Sequence, residues 1–305
     1  MRKAKIDKQN VVKQNLNMET IIAVSDVHLG YGDEKKPNTP HCNKSDFNEF
    51  LAQVGNEIPC DKLAICGDFL DLWRRDLLGV VLENQDSLNL LQEAVTEKRF
   101  KLYFVVGNHD YYIRKFRWNI DPSPNDLFFL KNLRFVDQND PKLDFSFLHG
   151  DEFDPIQIEM FYDALCMSNE ASGTFMEDIW QFFRSTASWY NKIKAFLRTG
   201  KYEDRQKKSL IPAEERFTSK DLDDVDKRAL AFAKEQSTVL IYGHTHVPFL
   251  MQNERVLANT GSWVTSRQSQ ENTNTYIQIK GSEIALLTFS DGKSVNLRKL
   301  EVQET

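Results

Sequence analysis

The chain has 305 residues, 41% hydrophobic and 28% charged, with a formal net charge of -6 and a pI near 5.6. These proportions suit a globular protein with a sizeable core and exclude extensive disorder, and the acidic balance argues against a broad basic face that coats nucleic acid. Cys42, Cys60, Cys66 and Cys166 follow neither a disulfide framework nor a zinc-ribbon spacing, so they read as reduced thiols.

Residues 1–17 are basic but lack the apolar stretch of a secretion signal, and no apolar run long enough to span a bilayer follows. A cytoplasmic protein is expected, with a flexible tail at 1–17 and a single domain over 18–305. Short β-rich runs then alternate with helical stretches: TIIAVSD, DFNEFLAQVGNEI, KLAICGD, LLGVVLENQDSLNLLQEAVTEK and KLYFVVGN. That rhythm predicts βαβ units and a largely buried sheet. LRFVD and LDFSFLHG add two strands. A helix-rich stretch over about 155–235 interrupts the pattern and has the look of an insertion. The sheet resumes with STVLIYGH, RVLANTGSWV, NTYIQIK and EIALLTFS, rich in β-branched residues and hairpin turn signals.

Polar clusters close the strands, and in open α/β sheets ligands gather where carboxyl ends of strands converge. The clusters supply Asp26, His28, Asp68, Asn108, His109, His149, Asp151, His244 and His246, which include five of the six histidines. Imidazole and carboxylate donors without cysteine suit borderline and hard divalent cations. Asp68 is the natural bridge, since one carboxylate offers an oxygen to each of two ions. Paired ions roughly 3.5–4 Å apart activate water and clamp the oxygens of an in-line displacement at phosphorus. His41, in a Pro-Asn-Thr-Pro-His loop, reads as an ordinary structural histidine.

The ordered blocks SDVHLG, GDFLD, GNHD, LHGD and GHTH resemble those of the calcineurin-like metallophosphoesterase superfamily across about residues 26–246. The resemblance implies an α/β fold, a four-layer αββα sandwich, and a metal-dependent hydrolase. It further implies one ion on Asp26, His28, Asp68 and His246, and another on Asp68, Asn108, His149 and His244. Manganese is the expected metal, with iron, zinc or cobalt also compatible with the mixed donors. His109 would contact the phosphate and protonate the leaving group, Asp110 would orient it, and Asp151 would support a ligand histidine.

Within the superfamily, GDFLDLW and a helical insertion between HGD and GHTH are most similar to the UDP-2,3-diacylglucosamine pyrophosphate hydrolases, which cover their site with a helical lid. Many of those carry arginine where this chain has His109. Asp71 and Trp73 match that family's block and would either line the substrate pocket or close the loop against the core. In the insertion, FMEDIWQFFRSTASWYNKIKAFLR reads as an amphipathic helix. Trp180 and Arg184, off its apolar stripe, are candidate substrate or interfacial contacts, and basic residues from Arg184 to Lys208 offer a face for anionic lipid or a substrate phosphate. The leading expectation is therefore hydrolysis of a nucleotide- or lipid-linked diphosphate, with a possible peripheral membrane contact. The alternatives are a nuclease or cyclic-nucleotide phosphodiesterase, and, from another class, a scaffold that has lost the chemistry. The intact set of site residues speaks against the scaffold, and aromatics arranged in a burial stripe speak against a single-strand binder.

Overall fold

The computed structural model describes residues 11–14, 19–32, 40–73, 75–113, 127–137, 140, 143–154, 222–265 and 273–302. The first half of the chain runs β1 (Val11–Gln14), β2 (Thr20–Val24), β3 (His41–Cys42), α1 (Lys44–Gln53), β4 (Lys62–Cys66), α2 (Leu77–Glu83), α3 (Gln85–Thr96), β5 (Lys101–Val105), β6 (Leu127–Leu130), β7 (Leu133–Asp137) and β8 (Asp144–Phe147). A 3-10 turn (Asp151–Phe153) follows, and then α4 (Asp224–Gln236), β9 (Val239–Tyr242), β10 (Phe249–Gln252), β11 (Val256–Asn259), β12 (Val264–Thr265), β13 (Thr275–Lys280), β14 (Glu283–Ser290) and β15 (Lys293–Glu301).

Continuous apolar strands need cover on both faces, and the fold supplies it with two facing sheets. The seven-stranded sheet has the order β15-β14-β13-β2-β4-β5-β6, with β2, β4, β5 and β6 parallel and β13 to β15 antiparallel. The six-stranded sheet has the order β1-β7-β8-β9-β11-β10, and β3 pairs with β12 as a small ribbon. Alternate residues of β2 and β4 divide between two cores. Ile22, Val24, Leu63 and Ile65 pack outward against Phe47, Phe50 and Leu51 of α1 and Leu91 of α3. Ile21, Ala23, Ala64 and Cys66 face inward, against Phe135, Phe145, Phe147 and Ile241 of the other sheet. A third core joins Leu240, Tyr242 and Leu257 to Val225, Ala229, Phe232 and Ala233 of α4. The layers are helix, sheet, sheet, helix, the expected αββα order.

Four expectations change. Val11–Gln14, inside the stretch read as a flexible tail, pairs in parallel with β7. The single helical stretch from 77 to 98 divides at Asn84, whose backbone leaves helical geometry (φ -117°, ψ 26°) while its side chain donates to the Val80 carbonyl at 2.8 Å. Helix α4, assigned to the insertion, is instead an outer layer of the sandwich. β3, β6, β10 and β15 had no counterpart in the sequence reading. The remainder of the insertion, 155–221, lies outside the described residues. Among the described residues, no helix is long and apolar enough to cross a membrane.

Phe50 sits at the centre of the outer core, fully buried, with ring centroids 5.0 Å from Trp263, 5.0 Å from Tyr276 and 5.5 Å from Phe289. Truncation to alanine removes those contacts and leaves a cavity that rigid strands cannot fill. Phe50→Ala should lower unfolding stability by about 3–5 kcal/mol in chemical denaturation, and a loss below about 1 kcal/mol would contradict this packing.

Candidate metal centre

Parallel β2, β4 and β5 deliver their carboxyl ends side by side, and parallel β8 and β9 deliver theirs to the same place. The main chain stitches these ends together. Asp26 N donates to Gly67 O (3.1 Å), His28 N to Asp68 O (2.9 Å) and Gly243 N to His149 O (2.8 Å). Two side chains of one sheet take backbone donors from neighbouring loops: Asp68 Oδ1 accepts from His109 N at 2.8 Å, and Asp26 Oδ2 from His244 N at 2.8 Å.

What remains points inward. Asp26 Oδ1 is buried with no hydrogen-bond partner, 3.1 Å from His246 Nε2 and 3.8 Å from His28 Nε2. Those two ring nitrogens stand 3.3 Å apart. Asp68 Oδ2 lies 3.7 Å from His28 Nε2 and 3.1 Å from His149 Nε2, so this carboxylate sits between two clusters. In the second cluster His149 Nε2 is 2.9 Å from Asn108 Oδ1 and 3.3 Å from His244 Nδ1. His149 Nδ1 must carry its proton to donate to the Cys66 carbonyl at 2.9 Å, because a carbonyl only accepts. A neutral His149 then turns its Nε2 lone pair on oxygen and nitrogen atoms that also offer lone pairs.

Acceptor atoms this close need a proton or a metal ion between them. Burial alone would lower His149, yet the carboxylates of Asp68, Asp26 and Asp151 push it well above the ordinary histidine value. Likewise burial alone would raise Asp26, yet His246, His28 and His149 hold it well below the usual carboxylate range. Divalent cations fit the same donors. The ligand-type atoms of Asp26, His28 and His246, and those of Asp68, His149 and His244, lie within 4.8 Å of one another in each group. Burial raises the thiols of Cys60 and Cys66, which keeps them protonated and apolar.

His109 stands beside both clusters, its ring centroid 4.6 Å from that of His28. The reading of Asp110 as its orienting partner is corrected. Asp110 accepts instead from the backbone of Gly107 and Phe69, each at 2.8 Å, and closes the loop. The carboxylate on His109 is Asp71, whose Oδ1 is 3.0 Å from Nδ1. Trp73 stacks on the same imidazole, centroids 3.9 Å apart and planes 15° apart, and donates from Nε1 to Asn108 O at 2.7 Å. Asp71 and Trp73 are both buried, and both contact the His109 ring. Asp151, expected to support a ligand histidine, acts through its charge on His149, while the carboxylate that reaches His244 Nε2, at 2.9 Å, is Asp154. Nothing in the H-G-D block pointed to it. His41 packs in β3 against Thr265, as an ordinary structural residue. Trp180 and Arg184 lie outside the described residues.

The loops that present these groups are conformationally costly. Asp26, His28, Asp68, His244 and His246 all have left-handed backbones, with φ of 51°, 51°, 53°, 68° and 59°. Each such residue costs about 1–2 kcal/mol relative to right-handed geometry, and strain of this kind gathers at functional sites. Two glycines permit the approach. A Cβ on Gly243 would collide with Ser25 Oγ and Asp26 Oδ2, and one on Gly107 with the Asp68 carboxylate and its backbone N.

Comparison with known proteins places these residues in a wider context. The family model described as calcineurin-like phosphoesterase matches residues 19–248. A curated relative, the UDP-2,3-diacylglucosamine hydrolase of Aliivibrio fischeri (strain MJ11), is 25% identical over 236 residues, spanning 75% of this chain and 82% of the relative. Among solved structures, the phosphoesterase Yfce from E. coli aligns with 15% identity and a TM-score of 0.43, covering 93% of this chain and 100% of that one. A dimetal phosphatase from Danio rerio aligns with 11% identity and a TM-score of 0.45, covering 95% and 100%.

Asp68→Ala should leave purified protein unable to retain paired divalent ions through dialysis, as read by elemental analysis. Full occupancy in that variant would remove Asp68 from the shared position. Gly243→Ala should likewise weaken metal retention, through displacement of Asp26, and full retention in that variant would contradict the close approach.

Proposed function

The chain belongs to the calcineurin-like phosphoesterase family and is a metal-dependent phosphoesterase; on that premise we propose that it hydrolyses a phosphoanhydride or phosphodiester bond in a nucleotide- or lipid-linked diphosphate. The observation that carries the reading is the His109 ring, gripped by Asp71 and Trp73 beside two facing carboxylate–imidazole clusters. The relative named UDP-2,3-diacylglucosamine hydrolase supports the substrate class.

The donors assigned to the two ions are Asp26, His28, Asp68 and His246 for one, and Asp68, Asn108, His149 and His244 for the other. When bound, such a pair supplies the Lewis acidity that activates water and neutralises phosphoryl charge, and manganese suits the mixed oxygen and nitrogen donors. The protein's own contribution centres on His109. Nδ1 meets Asp71 Oδ1 at 3.0 Å, so in this reading Nε2 would be the nitrogen that contacts the substrate. Burial lowers the His109 pKa even though Asp68 and Asp71 pull it upward, so the ring inclines toward its neutral form before substrate arrives. A phosphate ester beside Nε2 adds negative charge, favours proton uptake, and so arms the ring to protonate the leaving oxygen. Asp71 stabilises the cation formed, and the Trp73 stack preserves the ring's plane.

A hydrolysis panel with added manganese tests the substrate class. An acylated nucleotide diphosphate sugar should be turned over faster than its deacylated analogue, cyclic nucleotides or single-stranded DNA. Preference for DNA or cyclic nucleotides would overturn the class while leaving the centre in place. His109→Ala should lower turnover by roughly 10²–10⁴-fold on esters with poor leaving groups and much less on nitrophenyl esters, whose departure needs no proton. Asp71→Asn should follow the same split with a smaller loss, and equal losses on both ester types would remove the proton-donor role.

A further inference from the structure

We propose that Asp154 is a positioning residue for the second cation: its carboxylate fixes the His244 ring so that Nδ1, rather than Nε2, is the atom free to bind metal. This rests on the metal assignment above. The two histidines of that cluster are oriented by different means. His149 is held through Nδ1 by the Cys66 main-chain carbonyl, which no side-chain substitution removes. His244 is held through Nε2 by Asp154 Oδ2 at 2.9 Å, with both side chains buried. Since an ionised carboxylate only accepts, the proton of a neutral His244 resides on Nε2, and its lone pair faces His149 Nε2 from 3.3 Å.

Asp154 is itself firmly placed. Its backbone N donates to Asp151 O at 3.1 Å at the end of the 3-10 turn, where Phe153 N donates to Gly150 O at 3.0 Å. The Phe153 ring is buried 5.5 Å from Phe232 of α4 and 6.2 Å from Tyr242 of β9. The turn is thus tied to the strand that carries His244, and the carboxylate meets a ring whose own backbone is left-handed at φ 68°. Carboxylate partners of ligand histidines typically govern metal affinity by 10–100-fold.

The test compares wild-type protein, Asp154→Ala and Asp154→Asn, each stripped with chelator and titrated calorimetrically with Mn2+. Nitrogen-15 spectra of the metal-free imidazoles report the tautomer of His244. Wild type should take up two equivalents and show the Nε2–H form. Asp154→Ala should bind one equivalent unchanged and the other 10–100-fold more weakly, with mixed His244 tautomers. Asp154→Asn, whose amide oxygen still accepts from Nε2–H, should restore affinity to within a few-fold. The inference is overturned by wild-type affinity for both ions in Asp154→Ala, by equal weakening of both, by failure of asparagine to rescue, or by a wild-type His244 that protonates Nδ1. Wild-type protein that binds fewer than two equivalents would contradict the metal assignment instead, while the tautomer still judges the role of Asp154.

Discussion

The structure is organised around a repulsion. Asp26 Oδ1, the facing Nε2 atoms of His28 and His246, Asp68 Oδ2, and the ring nitrogens of His149 and His244 crowd one largely buried volume, so close that each facing pair needs a proton or a metal ion between its atoms. His246 stands exposed at the rim, but the others are shielded from water, and leaving such buried atoms uncompensated is costly. A positive charge among them turns the same crowding into attraction. The folded chain thus brings together groups of residues that could hold cations, and Asp68 stands between them, 3.7 Å from His28 Nε2 and 3.1 Å from His149 Nε2.

Holding that arrangement requires support from outside it. Five of the facing residues sit in left-handed backbone conformations, and glycines at 107 and 243 allow loops to approach more closely than any side chain would permit. The three apolar cores supply the restraint. β2, β4 and β5 are packed on both faces, so their carboxyl ends have little freedom, and the Phe50–Trp263–Tyr276 cluster fastens α1 to the sheet that carries Asp26 and Asp68. The His109 assembly follows the same logic on a smaller scale: a rigid indole on one face and a buried carboxylate at one edge fix the orientation of the imidazole.

The residues at strand ends were legible in the sequence because a continuous apolar run followed abruptly by Asp, His or Asn has few purely structural explanations. The strands themselves were legible for the same reason, as at Ile21–Val24. Partnerships across the chain were not. Asp71 meets His109 from 38 residues away and Asp154 meets His244 from 90, and local pattern carries no trace of such distances. Asp110 was the natural guess for the partner of His109 because it is adjacent, but adjacency in a tight turn directs its carboxylate to the loop's own N–H groups. α4 looked like insertion because a helix-rich stretch precedes it; only its apolar face against Leu240 and Tyr242 reveals it as part of the sandwich. β15, largely exposed along its length, lacks the burial that makes strands visible in sequence.

The most direct measurement is anomalous diffraction from crystals of the protein grown with manganese. The account requires two peaks flanking the Asp68 carboxylate, one among Asp26, His28 and His246 and the other among Asn108, His149 and His244. A single peak, or none, with the facing nitrogens bridged by protons or water, would contradict it.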